Sequence, residues 1–127
     1  MSTLATIKLI EKLVSFDTTS RESNLLLIEF IREYLADLGI VSELVHSEDG
    51  DKANLYATVG DQNKPGIMLS GHTDVVPVDG QNWDTNPFEV VEKNRKLYGR
   101  GTSDMKSFIA ITLAMLPTFL KRNLKTP

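Results

Sequence analysis

The sequence predicts an α/β fold, on three observations. Residues 4–16 and 23–38 repeat apolar side chains every three or four positions, the period of a helix with one buried face. Residues 41–48 and 54–59 are short runs of strand-forming residues set between turn formers. Finally, Gly66-Ile67-Met68-Leu69-Ser70-Gly71-His72-Thr73-Asp74 reads as a short buried strand that ends abruptly in an imidazole and a carboxylate. In open α/β sheets, ligands sit at the carboxyl end of such a strand.

The first helix carries Leu4, Ile7, Ile10, Leu13 and Val14 on its stripe. Asp17-Thr18-Thr19-Ser20 breaks it, because short polar side chains compete for backbone hydrogen bonds. Ser20 or Ser23 is placed to cap the second helix, whose stripe is Leu27, Ile28, Ile31, Tyr34, Leu35 and Leu38. Gly39 is its expected left-handed terminator. Both helices are read as covers for a sheet, without chemistry of their own. On the strand at 41–48, His46 is either a metal ligand or a solvent-facing side chain. Its neighbours Glu43, Glu48 and Asp49, next to the turn Asp49-Gly50-Asp51, favour the second. Residues 61–66 are a polar loop too short for a parallel crossover, so antiparallel pairing is expected of the strands it joins. If the chain stays extended through the His-x-Asp triplet, His72 and Asp74 project to the same side. That sets a nitrogen ligand beside an anion able to hold it in one tautomer.

Residues 75–88, with Pro77 and Pro87, form a long loop of the kind that lines a site. Trp83 on it either touches substrate or pins the loop to the domain, and the pin is favoured. Residues 88–92 and 97–98 read as a hairpin about Lys93-Asn94-Arg95-Lys96. The glycine-rich Gly99-Arg100-Gly101-Thr102-Ser103-Asp104-Met105 then feeds a helix over 106–120, with Phe108, Ile109, Ile111, Thr112, Met115, Leu116 and Phe119 buried. Pro117 is expected to kink or end it. Asp104 has two readings: a carboxylate stabilised by the helix N-terminus, or a ligand brought up beside His72.

The composition excludes several function classes. The formal net charge is −3 and no basic run is present, so neither nucleic acid nor an anionic membrane is an expected partner. There is no cysteine, which removes disulfides and thiolate zinc sites and leaves imidazole and carboxylate as the metal ligands. No apolar run approaches the ~20 residues of a membrane span. The N-terminal Met1-Ser2-Thr3-Leu4-Ala5-Thr6 lacks the basic region of a signal peptide, so a cytoplasmic location is expected.

Two stretches carry a resemblance: Ser70-Gly71-His72-Thr73-Asp74-Val75-Val76-Pro77 and Gly99-Arg100-Gly101-Thr102-Ser103-Asp104-Met105-Lys106. In them the chain resembles the zinc-dependent aminoacylase and exopeptidase family of acetylornithine deacetylase, succinyl-diaminopimelate desuccinylase and carboxypeptidase G. Residues 76–83 look most like the acetylornithine deacetylase branch. The resemblance implies that residues 1–127 are the N-terminal part of a three-layer α/β/α catalytic domain with a mixed sheet. It also implies two zinc ions in the complete site, with cobalt as a substitute. His72 is then a ligand of one zinc, Asp104 bridges both, and Asp74 is the catalytic-site carboxylate that orients His72. The implied reaction is hydrolysis of a small N-acyl amino acid, N-acetylornithine first, with arginine biosynthesis as its setting and a homodimer as the complete protein.

This chain departs from the family pattern in two places. Ser107 stands where the family usually has glycine, which a first helical turn tolerates. The later part of the pattern is missing: a Glu-Glu pair containing the general base, a further acidic ligand, a last histidine and a lid or dimerisation domain. The expectation is therefore weak zinc binding, no hydrolysis by these residues alone, and an open sheet edge prone to association. Two further readings compete: a desuccinylase or peptidase of the same family, and a non-catalytic chain that only binds a partner or metabolite. A nucleotide-binding module is disfavoured, because Gly99-Arg100-Gly101 lacks the spacing of a phosphate loop.

Overall fold

The structure is a computed structural model that describes residues 3–122 and 124–127. Met1 and Ser2, part of the stretch read above for a signal peptide, lie outside the described residues. Three helices and four short strands follow in chain order. They are α1 (Thr3–Val14), α2 (Leu25–Asp37), β1 (Ser42–His46), β2 (Ala53–Ala57), β3 (Val91–Lys93), β4 (Lys96–Tyr98) and α3 (Lys106–Leu120).

The amphipathic patterns become the core. Ile10, Leu13 and Val14 of α1 are buried with Leu27, Ile28, Ile31 and Leu35 of α2 and with Ala110, Leu113 and Leu116 of α3. Helix α1 packs against α3, while α2 packs on β1 and β2. Leu4, expected on the α1 stripe, is instead exposed, and Leu9, not expected there, packs against the core. Gly39 ends α2 with φ of +74°, a left-handed position that a side chain resists.

Strands β1 and β2 pair antiparallel with Leu44 opposite Leu55, both half-buried, while Val41 and Val45 face outward and His46 is exposed, as the solvent-facing reading had it. Strands β3 and β4 form the expected hairpin, turning at Asn94 and Arg95 with φ of 53° and 58°. Positive φ at both central residues matches the twist of the flanking strands. These are two separate two-stranded sheets, and the one isolated parallel pairing among the described residues is the bridge between Thr19 and Val75. The α/β class stands.

Three expectations need correction. Residues 67–69 are neither a strand nor buried: Ile67 and Met68 are each 75% exposed and Leu69 54%. They do not pair with β2. The backbone contact here is the Ile67 amide donating to the Pro127 carbonyl at 2.9 Å. Without neighbours on its edges or a layer over its face, an apolar run has nothing to bury against.

The second correction concerns α3, whose buried stripe is Lys106, Ala110, Leu113, Ala114 and Leu116; Phe108 and Ile111 are exposed. Leu116 is buried as expected and Ile109 and Phe119 pack against the core, so the stripe is rotated toward Ala110, Leu113 and Ala114, away from Phe108 and Ile111. Third, of the two outcomes expected at Pro117, a kink or an end, the end does not occur: α3 runs on to Leu120. Proline at 117 leaves the Leu113 carbonyl without its usual helical donor. The Tyr34 hydroxyl of α2 fills that place, donating to the Leu113 carbonyl at 3.2 Å.

Candidate metal centre

Three chain segments converge on the two motifs. The first is the connection at 16–20, the second is 71–75, and the third is the turn at 99–105 that leads into α3. The Thr18 hydroxyl donates to the Thr73 carbonyl at 2.6 Å, and the Val75 amide donates to the Thr18 carbonyl at 3.0 Å. The Ser20 amide in turn donates to the Val75 carbonyl at 3.0 Å. Thr18 and Thr19 are buried by these contacts.

Glycine makes the approach to α3 possible. A Cβ on Gly71 would lie 3.1 Å from Ile109 and 3.3 Å from both Met105 and Phe108, so a larger residue would push the His72 segment off the helix. Gly101, at φ of +95°, has its Cβ space taken by the stem of Lys106 at 3.0 Å. Lys106 is itself fully buried, and its ammonium donates to the Phe16 carbonyl at 2.7 Å, tying the start of α3 to the beginning of the first connection. Burial lowers its pKa from 10.5 to about 8, and the nearby Asp17 carboxylate opposes that shift. The Asp104–Met105 peptide is cis.

His72, Asp74 and Asp104 meet on this frame. His72 Nε2 lies 2.9 Å from Asp104 Oδ1, and His72 Nδ1 lies 3.0 Å from the Asp74 carbonyl and 3.2 Å from Asp74 Oδ1. A carbonyl oxygen only accepts, so the proton belongs on Nδ1. Nε2 then presents its lone pair to an anionic oxygen, a repulsive arrangement that a proton or a metal cation on Nε2 relieves. Partial burial by itself would lower the His72 pKa. The Asp74 carbonyl and the Asp104 carboxylate outweigh it, and the imidazole titrates above its ordinary value. The Ser20 hydroxyl donates to Asp74 Oδ2 at 2.7 Å and holds that carboxyl below the usual carboxylate range, against partial burial and with help from His72.

The donor chemistry suits zinc: a neutral imidazole nitrogen whose second nitrogen is committed to an oxygen, beside an exposed carboxylate. It is half a shell, because no cluster of three or more His, Cys, Asp or Glu side chains able to hold a metal occurs among the described residues. Asp104 caps nothing: α3 has Met105 at its N-cap and no side-chain cap bond.

Two other sequence readings are resolved here. The Arg100 guanidinium stacks over the Trp83 ring at 5.1 Å and donates to Gln81, which also accepts from the Trp83 indole. Trp83 thus pins its loop to the glycine-rich turn. Ser20, read as a helix cap, binds Asp74 instead; Ser23 accepts from the Leu25 amide, but the N-cap of α2 is Asn24, which makes no side-chain cap bond. The density of polar residues at 17–20 was the sequence signal for a contact element, although it named no partner.

Comparison with known proteins shows what the chain is similar to. The model of peptidase family M20/M25/M40 matches residues 68–127, a span that contains His72, Asp74 and Asp104. The acetylornithine deacetylase of Buchnera aphidicola (subspecies Schizaphis graminum) is 38% identical over 127 residues, 95% of this chain and 33% of that protein. That of Pasteurella multocida is 43% identical over 100 residues, 78% of this chain and 26% of that protein. The succinyl-diaminopimelate desuccinylase of Rickettsia bellii is 40% identical over 117 residues, 90% of this chain and 29% of that protein. The chain spans about a quarter to a third of the length of these relatives. Its fold is that of part of human carnosine dipeptidase 1, whose crystal structure superimposes with a TM-score of 0.76 at 22% identity over 91% of this chain and 28% of that one. Over residues 68–127 the chain is thus similar to peptidase family M20/M25/M40, and over most of its length to the deacetylases and the desuccinylase named above.

Proposed function

We propose that this chain is the N-terminal segment of the catalytic domain of a co-catalytic zinc amidohydrolase that removes the acyl group from a small N-acyl amino acid, N-acetylornithine first among them. The observation that carries the reading is His72 itself: both ring nitrogens face oxygens that only accept, Asp74 on one side and Asp104 on the other. The names of the relatives support an acyl amino acid as substrate, with the succinyl compound as the alternative.

In this reading His72, through Nε2, and Asp104 are the residues of this chain that would hold zinc. Zinc, when bound, acidifies water and polarises an amide carbonyl. The residues of this chain prepare that chemistry. Asp74 keeps the proton on Nδ1 and so leaves Nε2 free as a ligand. Asp104 would supply negative charge to offset that of the metal. Neither can also act as general base, and that base lies outside residues 1–127. A cytoplasmic setting and a dimeric complete protein belong to the same proposal.

A second reading, a chain that binds a cation or metabolite without catalysis, is favoured by the half-complete shell. Zinc titration of the full chain beside its His72→Ala and Asp104→Asn variants tests the site, and an assay of N-acetylornithine hydrolysis tests catalysis. Weak zinc binding lost in both variants, with no turnover, is expected. Turnover by residues 1–127 would overturn the assignment of the base outside them, and zinc binding indifferent to His72→Ala would overturn the site.

A further inference from the structure

The polar connection between α1 and α2 reaches the cation site through one side chain. Asp17 closes on itself, its Oδ1 accepting from the Thr19 amide at 3.0 Å and the Thr19 hydroxyl at 2.6 Å, which sets the direction of the following residues. The backbone bonds from Thr18 and Ser20 to Val75, with the Thr18 hydroxyl on the Thr73 carbonyl, then grip the chain on both sides of Asp74. The Ser20 carbonyl is held from the far side by the Lys52 ammonium. Ser20 therefore has a fixed backbone, and its hydroxyl lies 2.7 Å from Asp74 Oδ2, closer than the 3.3 Å to the Val75 carbonyl.

We propose that Ser20 is a positioning residue of the cation site: its hydroxyl fixes the Asp74 carboxylate, which in turn fixes the tautomer and direction of His72. The inference rests on the reading of His72 and Asp104 as cation ligands. The Asp74 carboxylate divides its two oxygens, Oδ2 to Ser20 and Oδ1 toward His72 Nδ1 at 3.2 Å. About half of the Asp74 side chain is exposed, so without Ser20 water competes for Oδ2 and the carboxylate is free to rotate. Rotation removes Oδ1 from the imidazole and leaves only the Asp74 carbonyl to hold the Nδ1 proton. The ring then admits the other tautomer, with the proton on Nε2, where it blocks the metal. Loss of an orienting partner of a metal-bound histidine costs roughly 10–100-fold in affinity, and Ser20 acts one bond further out, so about tenfold is expected.

The test uses the full chain with zinc alone as the probe, and nitrogen NMR of the metal-free His72 ring at a pH where it is neutral. Ser20→Ala is expected to weaken zinc about tenfold and to move the ring from the Nδ1–H tautomer toward a mixture. Ser20→Thr, which keeps the hydroxyl, restores both, and Ser20→Ala has no further effect once Asp74 is Asn. Thermal unfolding of Ser20→Ala close to that of the parent chain assigns the loss to the site. Parental zinc affinity and an unchanged tautomer in Ser20→Ala overturn the inference while leaving His72 as a ligand. Zinc binding that survives His72→Ala overturns the ligand reading and this inference with it, and the tautomer measurement separates the two failures.

Discussion

The His72 imidazole and the Asp104 carboxylate, 32 residues apart, meet at 2.9 Å. Because Asp104 stabilises the charged ring, the imidazolium persists above its ordinary range in the metal-free chain, even though partial burial works against it. Whatever stability the pair lends is therefore present at low pH and lost as pH rises through the raised imidazole value. Asp104→Asn is expected to move the His72 titration downward, though not fully, since the Asp74 carbonyl still faces Nδ1. Proton NMR of the His72 ring measures it, and a titration unaffected by the substitution would show that the two side chains do not meet in solution.

Adjacent leucines at the start of α2 separate core from surface. Leu27 is fully buried, whereas Leu26 is 78% exposed. Leu27→Ala is expected to cost about 2–5 kcal/mol through lost burial and the cavity left behind, and Leu26→Ala to fall within about 0.5 kcal/mol. Urea denaturation of the two variants checks the assignment of the buried stripe.

What could be read from the sequence was local. The period of Ile10, Leu13 and Val14, the terminator Gly39 and the turn at Asn94-Arg95 act over a few residues, and all three emerge as expected. The meeting of His72 with Asp104 was legible because each motif carries its own chemistry and the two were read together. Ile67, Met68 and Leu69 were misread because burial depends on what lies alongside, which composition does not report. Ser20 was misread for a related reason: its partner Asp74 is 54 residues away, and a cap for the next helix was the nearer explanation.

That Pro117 does not end α3 goes with a contact of the same long range. Tyr34 donates to Leu113, the carbonyl that a proline at 117 leaves without a helical donor. Tyr34→Phe is expected to cost about 1 kcal/mol, the net worth of one such bond. Pro117→Ala restores an amide donor to Leu113, so in that background Tyr34→Phe becomes nearly neutral. A double-mutant cycle by urea denaturation reads the coupling; additive costs would mean that the hydroxyl does not serve that carbonyl.

Lys106 gives the chain an alkaline signature. Burial brings its folded-state pKa from 10.5 to about 8, with Asp17 opposing. Below about pH 8 the ammonium is charged in both the folded and the unfolded chain, and the folded state bears the whole cost of keeping that charge out of water. Between about 8 and 10.5 the unfolded chain binds more protons than the folded one, so stability rises with pH across that window. The gain is on the order of 1–3 kcal/mol, reduced by whatever water reaches the ammonium. Lys106→Met removes the titrating group and is expected to flatten the rise, at the cost of the donor to the Phe16 carbonyl. Denaturation midpoints of both chains across that range, with a chelator present to keep divalent cations from Asp104, measure it. A stability that falls from pH 8 upward in the parent chain, or a rise that persists in Lys106→Met, would mean that the buried ammonium is not the group responsible.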